Sequence, residues 1–131
     1  VFVAKFAPSG QHLWSKRFGD GEDQEISDAA VDGAGNIVLT GTFEGAVDMG
    51  GGAIASQGAS DIFAAKLSGA GDPLWSRRAG DANNQYGTTV AVDGQGDVVL
   101  AGVFASEINL GGDDLMTGGI FDLYLAKLAG E

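Results

Sequence analysis

The chain repeats itself. Val1-Phe2-Val3-Ala4-Lys5 returns as Ile62-Phe63-Ala64-Ala65-Lys66 and again as Leu123-Tyr124-Leu125-Ala126-Lys127, 61 residues apart each time. Leu13-Trp14-Ser15 recurs as Leu74-Trp75-Ser76, and Val31-Asp32-Gly33 as Val92-Asp93-Gly94, at the same offset. Between residues 1–61 and 62–122 about 24 positions are identical without a gap. This spacing sets one unit over 1–61, a second over 62–122, and the opening strand of a third over 123–131. Self-similarity at such a period marks supersecondary units that bury their apolar faces against their neighbours rather than alone.

Within a unit the pattern is that of strands. Phe2, Ala4 and Phe6 alternate with Val1, Val3 and Lys5, and Trp14, Lys16 and Phe18 share one face of the next segment. Ser27 to Asp32 and Asn36 to Phe43 form the clearest hairpin. Its turn residues are Asp32, Gly33 and Gly35, repeated as Asp93, Gly94 and Gly96. An aspartate there accepts bonds from turn amides, and glycine tolerates the positive φ that a tight reversal needs. A phosphate-binding glycine loop would lead into a helix, and a strand follows here. Glu44 to Asp61 reads as a long glycine-rich connection holding one short strand near Ala53 to Ala55.

Four short antiparallel strands per unit, in tandem and without helices, describe an all-β chain of β-propeller blades, ahead of another sandwich or barrel. The runs Phe-x-Ala-Lys, Leu-Trp-Ser and Asp-Gly-x-Gly followed by Val-Leu-x-Gly resemble the bacterial SBBP β-propeller repeat. Gly45-Ala46-Val47-Asp48-Met49-Gly50-Gly51-Gly52 is similar to its longer versions in large surface or secreted proteins. The resemblance implies a blade with Ser27–Asp32 innermost, then Asn36–Phe43, Ile62–Leu67 and Leu74–Arg78 outward. It also implies an extracellular or cell-surface location. By that mapping the repeats run out of phase with the blades, and the chain, which opens on Val1, reads as a segment of something longer.

Two units do not close a propeller, which takes about four to eight blades. An isolated pair leaves apolar faces open, and Phe2, Trp14, Leu39, Phe43, Phe63, Trp75, Leu100 and Phe104 are expected to be under-packed. Phe2, Trp14, Phe63, Trp75 and Tyr124 are the expected inter-blade packing residues. The cover is expected from other copies of the chain, from the remaining blades of a longer one, or from different subunits that supply the missing blades. One conflict accompanies self-association: the third-strand sequence occurs at both ends, so two strands compete for one place at each junction.

Chemistry is sparse. A net charge of -11 argues against nucleic acid and anionic membranes, and no apolar run is long enough to insert as a helix. With no cysteine there is no thiol catalysis, and His12, the sole histidine, is Pro73 in the second unit. No catalytic residues and no cofactor are expected, and the chain reads as a non-enzymatic structural or binding module. Asp20, Glu22, Asp23 and Glu25 are candidate calcium ligands. With Tyr86 as a loop aromatic, they support the alternative of a calcium-dependent carbohydrate-binding module. The recurring Lys5, Lys66 and Lys127 call for partners: turn carbonyls, or a structural ion pair with Asp61 and Asp122 standing just ahead of them.

Overall fold

The computed structural model describes residues 1–130. Among them the chain is all-β, as the alternation predicts, and every strand pairing is antiparallel. A hairpin of β1 (Phe2–Phe6) and β2 (His12–Arg17) comes first. A four-stranded sheet follows, built from β3 (Gln24–Val31), β4 (Ile37–Phe43), β7 (Asp61–Leu67) and β8 (Pro73–Ala79) in that spatial order. The last sheet has three strands, β9 (Gln85–Val92), β10 (Val98–Phe104) and β13 (Asp122–Leu128), with β10 in the middle.

The two long connections are more ordered than the expected single strand. Ala53–Ala55 (β6) pairs with Ala46–Asp48 (β5), and β11 (Glu107–Ile108) pairs with β12 (Leu115–Met116) in the next unit. Fully buried Val47 and Ile108 anchor these ribbons, and the Asp48 carboxylate turns the first by accepting from the Gly50 N–H at 2.6 Å. Strands this short carry almost no periodic signal.

Irregularities repeat with the sequence. In β3 the pairing jumps from Ile26 to Asp28, leaving Ser27 out of register, and β9 does the same at Thr88. β2 and β8 bulge at Leu13 and Leu74. Opposite the inner bulge stand Gly41 and Gly102, where a Cβ would run into the backbone carbonyls of Glu25 and Tyr86. A bulge redirects side chains and brings strands close, so glycine is required across from it.

The four-stranded sheet lies between the other two. Phe63, Ala65 and Leu67 face the first hairpin and pack with Phe18, Leu39, Phe43, Val47 and Met49, edged by Val1 and Val3. Ile62 and Ala64 face the last sheet and join Val38, Val90, Leu100, Phe104, Ile108 and Tyr124. Strand β7 is therefore buried on both sides, and the Phe43 and Phe63 rings meet edge to face at 6.3 Å. This corrects the expected under-packing of Leu39, Phe43, Phe63, Leu100 and Phe104, which are buried by the neighbouring sheet or hairpin of the same chain. Of the large apolar residues on the strand that repeats as β1, β7 and β13, Phe2 and Phe6 at one end and Leu123 and Leu125 at the other are uncovered.

Candidate functional site

Each junction between sheets is closed by a lysine. On β1, Lys5 donates to the Gly69 carbonyl in the β7–β8 turn at 2.7 Å, and the Trp14 indole N–H shares that oxygen at 3.2 Å. On β7, Lys66 repeats the reach, donating to the Gly130 carbonyl of the last sheet at 2.9 Å. Lys66 also pairs with Asp32 of its own sheet at 3.1 Å, both side chains buried. Asp32 accepts in addition from the Ala34 and Asn36 N–H groups and from the Asn36 amide, each at 2.9 Å. The Asn36 side chain and backbone, with Lys66, hold this carboxyl well below the usual range.

Lys127 is the third in the series. It pairs with Asp93 at 2.7 Å and Asp97 at 2.9 Å within its own sheet, and these bonds push its pKa up to about 12. Among the described residues no further sheet lies beyond it. The Asp93 turn copies the first, with Gly96 in the left-handed region as Gly35 is, whereas Gly33 and Gly94 are not.

The expected pairing of these lysines with Asp61 and Asp122 does not form. Five residues separate Asp61 from Lys66, so an extended strand points them to opposite faces. Asp61 instead accepts from Arg78 at 2.9 Å and from the Gln57 N–H at 2.8 Å, and Asp122 closes the equivalent loop through Gly118.

A second link joins the inner strands. Asp28, aimed by its bulge, accepts from the Thr89 hydroxyl at 2.6 Å and the Val90 N–H at 2.9 Å, which lowers its pKa. Thr89 is the residue that takes the place of Asp28 in the second unit.

The two end faces are open. Leu123 is 81% and Leu125 74% exposed, although their counterparts Ile62 and Ala64 are buried. At the other end Phe2 is 76% and Phe6 57% exposed, while their counterparts Phe63 and Leu67 are fully buried. Of the expected packing residues, Phe63 and Tyr124 are therefore buried, Trp14 and Trp75 half-buried, and Phe2 in the open. Trp14 lies against Gly71, and Arg77 stands 5.7 Å over Trp75.

A cavity of about 690 Å³ separates the four-stranded sheet from the last one, lined by Ile62, Arg77, Ala79, Leu110 and Leu128 among others. Its opening follows from sequence: Ala79 stands where the first unit has Phe18, which is buried.

Of the acidic candidates, Asp20 is spent on protein donors. It accepts from the Glu22 N–H, the Gln24 amide and the Ala46 N–H at 2.6–2.9 Å, and the backbone N–H groups of Glu22 and Ala46 depress its pKa. Among the described residues no three carboxylate or imidazole groups could hold a metal together. Asp23 and Glu25 line a shallow cleft of about 330 Å³ with Thr42, Glu44, Ser60 and Tyr86. Tyr86 belongs to β9 and not to the loop expected, because the hairpin starts at Gln85.

Reading residues alone missed Asp28, Gly69 and Gly130, which make the links between sheets. Asp28 carries a signal in hindsight, being an acidic residue inside a strand otherwise built of small and apolar ones.

No helix among the described residues is long and apolar enough to cross a membrane. No family model matches the chain. It is similar to an uncharacterised WD repeat-containing protein of Acanthamoeba polyphaga mimivirus, 26% identical over 111 residues, which is 79% of this chain and 8% of that protein.

Proposed function

We propose that this chain is a β-propeller segment acting as a protein-interaction module, whose partners are further blades supplied by other copies of itself. The observation that carries this reading is the contrast between equivalent positions: what is buried by the next sheet in the interior is bare at both ends. Ile62 is 1% exposed and Leu123 81%. The strand order of the complete sheet, β3-β4-β7-β8, is that of a propeller blade. The likeness to a WD repeat-containing protein supports a repeat module and no catalytic role. Leu13-Trp14-Ser15, Leu74-Trp75-Ser76 and the Asp32 and Asp93 turns support an SBBP-type repeat and, with it, an extracellular or cell-surface location.

The test is the solution mass of the 131-residue chain, by light scattering coupled to size exclusion. A discrete multimer of two to four copies, giving about four to eight blades, is the expected result. A folded monomer overturns the reading. Polydisperse aggregates would assign the missing blades to the rest of a longer chain.

The exposed Tyr86 ring beside Asp23, Glu25, Glu44 and Ser60 favours a second reading, a carbohydrate-binding module. Titration with neutral oligosaccharides, followed by NMR shifts at Tyr86 and lost in Tyr86→Ala, would establish it. Absence of shifts at millimolar sugar would dismiss it.

A further inference from the structure

We propose that the β1–β2 hairpin of one copy takes the seat of β13 beside β10 of another copy, supplying the third and fourth strands of its last sheet. This rests on the self-associating reading above and names its contact.

β1 and β13 are the same strand in sequence, two units apart. The inward face of β13 carries Tyr124, Ala126 and Leu128, and the matching residues of β1 are Phe2, Ala4 and Phe6. In the single copy Phe2 and Phe6 face water, while Val1 and Val3 on the other side of β1 already pack on the four-stranded sheet. The hairpin therefore stays seated on its own chain while its bare face enters a second one.

The present occupant fits poorly. Tyr124 is buried with its hydroxyl lacking any hydrogen-bond partner, a destabilising arrangement. Phe2, like Phe63 at the equivalent place in the four-stranded sheet, brings the same ring with no hydroxyl. β13 also leaves Leu123 and Leu125 in solvent. Vacating its seat releases the Lys127 pairs with Asp93 and Asp97 and the Gly130 carbonyl that Lys66 reaches, places that Lys5 and the β1–β2 turn of the incoming hairpin hold in sequence.

The incoming hairpin completes what β13 leaves unfinished. β13 pairs on one edge only, so the last sheet lacks the fourth strand that the complete one has. β2 arrives already paired to β1, as β8 is to β7. The competition between two third strands is thus settled by displacing β13, and the fit is head to tail, which closes into a ring of copies.

Register makes the proposal testable. Ala101 pairs with Leu125, whose place Val3 would take. Val3 and Ala101 lie on elements at opposite sides of the four-stranded sheet, so within one copy they cannot meet. The chain has no cysteine. In Val3→Cys/Ala101→Cys, oxidation is expected to join copies in a ladder on a non-reducing gel, absent from either single variant. Hydrogen exchange at Asp122–Leu128 is expected to be fast in the multimer. Phe2→Asp/Phe6→Asp, exposed in the single copy, is expected to keep the fold and weaken association about 100-fold or more. A multimer with no ladder, a protected β13 and indifference to the Phe2→Asp/Phe6→Asp change overturns the hairpin exchange and leaves self-association standing. A folded monomer overturns both.

Discussion

Replacing Lys66 by methionine isolates the junction between sheets, because the stem keeps its length and loses only the ammonium. Lys66 is 4% exposed and makes two bonds, to Asp32 at 3.1 Å and to the Gly130 carbonyl at 2.9 Å. A hydrogen bond with a charged partner contributes about 1.5–3 kcal/mol net, so the gross loss is about 3–6 kcal/mol. Part returns, since a buried ammonium gives way to an apolar thioether. Asp32 is not stranded either, as Ala34 and Asn36 keep donating to it. The net cost is about 3 kcal/mol, which for a chain of this size lowers Tm by about 10 °C. Thermal unfolding followed by circular dichroism reads it directly. Lys127→Met serves as the internal reference, because the same chemistry there is half exposed and screened by solvent. Its shift is expected to be under about 3 °C. Equal shifts for both lysines, or a Lys66→Met protein melting within about 3 °C of wild type, would refute the argument that burial between sheets makes this lysine matter.

Acid should loosen the fold in a defined direction. Asp28, Asp32, Asp93 and Asp97 have folded pKa values below the ordinary 3.8, so the unfolded chain takes up protons first. Their stabilisation is whole above that value and is lost as the pH falls through the depressed folded ones. A denaturation series from pH 6 to about 2 checks it, and stability unchanged below pH 4 would contradict it. Gly41→Ala places a methyl against the Glu25 carbonyl and should cost about 1–3 kcal/mol in urea unfolding, with Gly33→Ala, open to solvent, as the silent control. Because Asp20 already accepts three bonds, a chelator should leave Tm unmoved, and a drop of several degrees would revive calcium binding in that loop.

The sheets were legible from the sequence because their alternation repeats twice in register, and one clear hairpin, Ser27 to Phe43, fixes the phase of the rest. The β5–β6 and β11–β12 ribbons were not, because strands of two or three residues are too short to show an alternation. Phe2 and Phe63 show why burial could not be read: the residues are identical, and only the presence or absence of a neighbouring sheet separates them. The lysines were recognised as structural, yet their partners lie 64 residues away, beyond any local rule. The wrong partners, Asp61 and Asp122, were dismissible by parity alone. The cavity is a different case, since comparing Phe18 with Ala79 across the units points to missing volume before any coordinates exist.

Units alike in pattern carry a hazard of their own, which is docking one step out of order, a failure typical of repeat proteins. The bond from Asp28 to Thr89 bears on this because it is unsymmetrical. The acceptor sits on one unit and its hydroxyl donor occupies the same position on the next, so exchanging the two units would set the groups in the wrong sense. A single diverged position thus works as an address: it lets two sheets that look alike to the hydrophobic core tell which of them comes first.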